Sequence, residues 1–324
     1  MATTTPGQYT SGASSFNLQL TDLVEEAYER AGRELRSGYD LRTARRSINI
    51  MFADWANRGV NLWTIEPGTI ALVPGQNTYP LPGDTVDLLE HVIRTGANNV
   101  STQADLTITR ISVSTYATIP NKIQQARPIQ VWIQRYNNAS TPTDGTLVGN
   151  GTTGSTSISA TDTTIQLTAV DMLPASGFIQ LDTEIINYSY ISGTTLYNCF
   201  RGQNNTTAAS HSSGAIAIWA QLPAITVWPT PDSSQPYVFA YWRMRRTQDA
   251  AQYGGLVMDV PFRFIPPMAA GLGYYIATKI PEGMPRLQML KQQYDEAWEL
   301  AAYEDHEKAA MRLVPRQQYI GSGP

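Results

Sequence analysis

The chain has 324 residues, of which 42% are hydrophobic and only 15% charged, with a formal net charge of −4. That length allows a sizeable core in two domains, and the acidic balance excludes a protein that grips nucleic acid through its overall charge, although duplex DNA passing nearby is compatible with it. A single cysteine, Cys199, excludes an internal disulfide, and no Cys/His cluster has zinc spacing, so no metal or other cofactor is expected and a reducing cytosol is.

Residues 1–16 are rich in Thr, Ser and Gly without a basic start or an apolar run, and read as a flexible arm rather than a targeting peptide. The first helix is expected from Thr21, as cap, to Leu35, because Leu20, Leu23, Val24, Ala27, Tyr28 and Ala31 recur at helical spacing. After Ser37-Gly38 a second amphipathic helix is expected. It buries Leu41, Ala44, Ile48, Met51, Phe52 and Trp55, ends at Gly59, and carries Arg42, Arg45, Arg46 and Asn49 on its other face. That basic face suits a subunit or partner contact about as well as plain solvation.

From Leu62 the hydrophobic period changes to two, and strands are expected at 69–73, 77–81, 91–94, 106–112 and 128–136, with turns at Pro74-Gly75 and Pro82-Gly83. Between about 140 and 220 the composition shifts to Thr, Ser, Gly and Asn. A Gly/Thr/Ser linker, Asp144 to Ser157, is expected there, followed by short strands at 164–167, 178–181, 184–191 and 195–199. The earlier strand style resumes at 222–228 and 237–244. After Pro261 helical spacing returns at 264–280 and in a longer helix at 285–311, with Leu287, Leu290, Tyr294, Ala297, Trp298 and Ala301 as its buried stripe. The apolar run at 268–280 is interrupted by Gly271 and Gly273 and falls short of the ~18 residues that span a bilayer, so no membrane contact is expected.

The expected fold class is α+β, with N- and C-terminal helices forming a helical bundle (17–60 and 262–311). A central antiparallel β domain (61–138 and 221–261) carries an inserted small all-β module (139–220), and an extended arm (312–324) ends the chain.

Chemistry is sparse. His91, His211 and His306 lie in three separate segments, and no phosphate loop, dinucleotide glycine pattern, HExxH or GxSxG is present, so no catalytic residue is expected. Asp182 and Glu184, two residues apart, fit a glycosidase pair, but exposed strand positions explain them better. Cys199 reads as a buried structural thiol.

Three stretches carry a family likeness: Leu41 to Asn49 (LRTARRSIN), Trp55 to Gly59 with Trp63 to Glu66, and Val73 to Pro82 (VPGQNTYPLP). Together with Ile225 to Pro231 (ITVWPTP), they resemble the adaptor family of short-tailed bacteriophages, also called tail tubular protein A. The family's turn aromatic is displaced here, since Val60, Asn61 and Leu62 follow Gly59 before Trp63. The module with Glu184 to Tyr188 and Cys199 to Asn204 looks like a small β module of phage virion proteins. This resemblance implies a virion protein at the head-tail interface. It would form a dodecameric homo-oligomeric ring between the portal protein and the tail nozzle protein, with double-stranded DNA passing through without sequence specificity.

Under that resemblance the arm residues Arg312, Leu313, Val314, Arg316, Tyr319 and Ile320 are candidates for portal binding. Arg42, Arg45 and Arg46 are candidates for subunit or portal contact. Tyr188, Tyr190 and Asn204 are candidates for contact with tail fibres or spikes. The rival expectation is a receptor- or carbohydrate-binding tail protein that uses the tyrosines Tyr188, Tyr190 and Tyr197.

Overall fold

A computed structural model of the protein describes residues 19–36, 38–59, 62–96, 99, 101–249 and 259–305. The structure is mixed α+β with large antiparallel sheets. The chain falls into two compact units, Met1–Trp63 with Thr247–Pro324, and Thr64–Arg246.

The helices in chain order are α1 (Leu20–Ala31), α2 (Gly38–Asn57), α3 (Val113–Thr118), α4 (Ile265–Ala277) and α5 (Leu287–Glu304). All but the short α3 lie in the first unit. Burial of Leu20, Leu23, Val24, Ala27, Tyr28 and Ala31 along one face makes α1 a helix. Gly32, at φ 89, ends it, since a left-handed residue caps a helix at least cost when it lacks a Cβ. Thr21 is not the cap: Gln19 occupies that position without a side-chain bond, and the Thr21 hydroxyl donates to Asp22 instead.

Apolar residues of α1, α2, α4 and α5 share one buried cluster. Its aromatic centre is Trp55, whose ring lies 5.0 Å from Trp298 and 5.6 Å from both Phe52 and Phe264, and whose Nε1 donates to Tyr294 Oη at 2.8 Å. Such ring pairs add about 0.5–1.5 kcal/mol each beyond their area. α4 is buried on most sides, and Gly271 lets its neighbours approach: a Cβ there would meet Met51 Sδ at 2.7 Å and the Tyr294 ring at 2.8 Å.

The strands before the compositional shift are β1 (Ile65–Leu72), β2 (Thr78–Pro80), β3 (Thr85–Thr95), β4 (Ala104–Thr107), β5 (Thr109–Ile111) and β6 (Gln130–Gln134). Next come β7 (Ala139–Gly149), β8 (Ser157–Ile158), β9 (Thr164–Leu167), β10 (Gly177–Leu181), β11 (Glu184–Tyr188) and β12 (Tyr190–Ser192). The last six are β13 (Thr195–Tyr197), β14 (Phe200–Gln203), β15 (His211–Ser212), β16 (Ile216–Gln221), β17 (Ala224–Trp228) and β18 (Tyr237–Arg245). Two four-stranded sheets, β1-β18-β3-β4 and β2-β17-β6-β5, share a core that includes Leu88, Ile93, Val131, Ile225, Val227 and Phe239. An eight-stranded sheet, β12-β13-β9-β7-β16-β10-β11-β14, has its own core of Leu147, Ile165, Ile179, Ile186, Tyr188 and Leu196.

Three expectations need correction, the first being that the strand expected at 184–191 breaks at Ser189 into β11 and β12, which lie far apart in the eight-stranded sheet. The strand expected at 106–112 is two strands in different sheets: β4 pairs with β3, while β5 runs parallel to β6, and buried Ile108 marks the crossing. The linker expected at 144–157 begins inside β7, which pairs with both β16 and β9. Its inward positions include Gly145 and Gly149, so the apolar alternation that betrays a strand is missing.

Candidate functional site

Two surfaces of the helical unit and one buried cluster in the β unit stand out. On α2 the arginines expected to make contacts face a groove of 680 Å³ whose lining includes Tyr39, Arg42, Arg45, Arg46, Asn49 and Ile50. Tyr39 is 65% exposed, and Ile50 is also exposed. Lys279 reaches the same neighbourhood, donating to Ser47 Oγ. Burial and the positive charge of Arg46 lower its pKa, which marks the field there as basic.

The second surface escaped the sequence reading, which looked only for the buried stripe of α5. That stripe is present in Leu290, Tyr294, Trp298 and Ala301, but the opposite face carries the exposed apolar residues Met289, Leu300 and Tyr303 among Glu296 and Glu299. Leu300 and Tyr303 are each 74% exposed. Leu300 and Tyr303, one turn apart and off the buried stripe, with Met289 three turns earlier on the same face, were the available signal.

The buried cluster centres on Glu184, at the start of β11. Its position alternates with Ile186 and Tyr188, so its side chain points into the core and is fully buried. The expectation of exposed strand positions is therefore wrong for Glu184, and Asp182, whose side chain is 62% exposed, sits at φ 51 in the turn between β10 and β11 rather than on a strand. Arg201 donates to Glu184 through Nε at 2.9 Å and Nη2 at 2.7 Å, the Gly202 and Ala209 amides donate at 2.9 and 3.0 Å, and His211 Nε2 lies 2.9 Å away. His211 Nδ1 in turn meets Asp182 Oδ2 at 2.7 Å. Burial pushes the Glu184 carboxyl up, but the Arg201 pair, the two amides and His211 outweigh it and hold the pKa down to about 2.

Four N–H donors match the four lone-pair sites of the Glu184 carboxylate and leave none for a substrate proton. A histidine fills the space between the two carboxylates that a glycosidase gives to sugar. The cluster instead clamps β11 to β14, β15 and the 204–210 loop, and Arg201 also donates to the carbonyls of Ala209 and Ser159. A carboxylate on the core side of an apolar alternation needs a buried cation, and that was the sequence signal for it.

The remaining candidates disperse. Tyr188 is buried in the core, with its hydroxyl donating to the Pro174 carbonyl at 2.7 Å, so contact with a fibre is corrected for this residue: it alternates inward with Ile186. Tyr190 is exposed and stacks on Tyr197 at 5.1 Å with rings 4° apart. Asn204, at φ 53 in a turn, lines a groove of 380 Å³ with Gln76, Tyr79, Pro82 and Gln203. Cys199 is buried, and burial pushes its thiol up to about 12, which leaves it protonated at neutral pH. His91 is stacked 5.9 Å from Phe239 with both ring nitrogens buried and without a hydrogen-bond partner. Arg312, Leu313, Val314, Arg316, Tyr319, Ile320 and His306 lie outside the described residues.

Among the described residues no group of three or more His, Cys, Asp or Glu is arranged to hold a metal, and no helix is long and apolar enough to cross a membrane. No protein-family model matches the chain, and no curated protein matches it.

Proposed function

We propose that the chain is a structural virion protein, the ring-forming adaptor that joins the portal to the tail nozzle of a short-tailed bacteriophage. One observation carries this reading: the helical unit presents two different exposed helix faces, on α2 and α5, each combining apolar side chains with charge of one sign. Distinct faces of this kind suit heterologous contacts, which generate rings when the rotation between copies closes. In this reading the N- and C-terminal helices form one helical bundle that meets the portal and the neighbouring subunits, together with the arm 312–324. The β unit meets the nozzle, and residues 139–220 form an inserted module available to tail fibres or spikes. An acidic chain suits a conduit, because a wall that binds phosphate strongly would retain DNA.

Electron microscopy of the purified chain, alone and mixed with its portal, tests the reading. Dodecameric rings capping the portal are the expected result. The alternative reading, a receptor- or carbohydrate-binding tail protein, draws on the exposed Tyr190–Tyr197 stack, since flat aromatic faces bind sugars. Monomers or trimers that ignore the portal and bind a glycan column would favour that alternative and overturn the adaptor.

A further inference from the structure

The two helix faces complement each other in more than sign. The α2 face carries Arg42, Arg45 and Arg46 between Tyr39 and Ile50, and Arg42 and Arg46 form no ion pair with any described residue. α5 sets one lysine, Lys291, against four carboxylates, Asp295, Glu296, Glu299 and Glu304. Of these, Glu296 accepts a hydrogen bond from Gln292 at 2.8 Å and lies on the exposed side with Glu299. The spacing matches as well. With Tyr39 set level with Met289 in parallel, Arg46 falls level with Glu296, Ile50 with Leu300 and Ala53 with Tyr303. Each stripe then runs about 21 Å, at the ~1.5 Å rise per residue of an α-helix.

We propose that the α2 face of one copy seats the α5 face of a second copy, head to tail, and that this pairing is the subunit contact of the ring. The inference rests on the ring-forming reading above and names its interface. Met289, Leu300 and Tyr303 supply the apolar seam against Tyr39 and Ile50, while Glu296 and Glu299 lie within side-chain reach of Arg46, and Arg42, level with Gln292, adds its charge one turn away. The contact is heterologous: each copy offers both faces and uses each once, so a chain of copies grows until it closes. The charges set partner choice, because the arginine row of α2 is attracted by the carboxylates of α5 and repelled by a second arginine row.

Sedimentation velocity of the full chain tests this with charge reversal at exposed positions. One variant carries Arg42→Glu and Arg46→Glu, the second carries Glu296→Arg and Glu299→Arg, and the third carries all four changes; unchanged circular dichroism certifies folding. Each two-site variant is expected to associate at least about tenfold more weakly, since like charges then face each other. The four-site variant is expected to recover, and so is an equimolar mixture of the two two-site variants, because every junction in the mixture again pairs opposite signs. Wild-type chain that stays monomeric at every concentration, or two-site variants that associate like wild type, would overturn the interface. Normal association of the α2 variant with lost retention of duplex DNA would overturn it too, assigning the arginines to phosphate. If the variants still form rings on the portal, this surface fails and the adaptor stands; if charge governs association but no ring caps the portal, the adaptor fails and the contact stands.

Discussion

At position 184 a carboxylate stands where the alternation of β11 calls for an apolar side chain, and its four N–H donors, with His211 beside them, turn that conflict into a fastening point. The pH consequence follows from the sign of its shift. A carboxyl whose folded pKa is about 2, against 4.5 when unfolded, contributes stability in full above 4.5 and loses it as the pH falls towards 2. The contribution is about 3 kcal/mol, from ~1.4 kcal/mol per pH unit. Glu184→Gln should therefore cost about 3 kcal/mol in urea unfolding at neutral pH and flatten the decline in stability between pH 4.5 and 2. An unchanged acid limb in the variant would mean that other carboxylates govern acid unfolding. The sequence located this residue without interpreting it: Glu184 and Arg201 are separated by strands whose pairing no local pattern announces, and His211 reaches the pair from a two-residue strand.

At the scale of elements, the helices were the most readable part, because a 3.6-residue period over twelve or more positions is a redundant signal. The strands were harder for a reason visible in β7, where the inward positions are partly glycine, and in the 104–111 stretch, where one extended run serves two sheets. The glycines of α4, read as interruptions of an apolar run, are contact points. Gly271 sits where a Cβ would press on Met51 and Tyr294, and Tyr294 is also the acceptor for Trp55. Gly271→Val should cost about 2 kcal/mol, because the extra methyls force the ring of Tyr294 off Trp55. Thermal unfolding reads this as a lower Tm. A variant as stable as wild type would show that α4 and α5 can part without loss.

At the scale of the whole molecule, the second β core raises the question of how far residues 139–220 depend on the rest of the β unit. β7 and β16 enter and leave side by side: Ala139 faces Gln221 in antiparallel register, and just outside them Gln134 faces Ala224 in the β6–β17 pair. Replacing residues 140–220 with Asn-Gly would therefore close a hairpin of the type those two residues favour, without moving β6 or β17. The losses include the hydrogen bonds from Gln76 to Gln203, from Asn198 to the Gly75 carbonyl and from Gln221 to Thr141, the Tyr136–Trp219 ring contact, and the cover that Phe178 gives Leu222 and Ala224. These amount to a few kcal/mol against a remaining core that keeps Val131, Ile225, Val227 and Phe239. The shortened chain should fold and, under the adaptor function proposed above, cap portals and yield tails without fibres, as scored by electron microscopy of assembled particles. Fibre-bearing tails would remove the fibre role from the module while leaving the ring intact. A shortened chain that cannot fold would instead show that the eight-stranded sheet and the paired four-stranded sheets are stable only together.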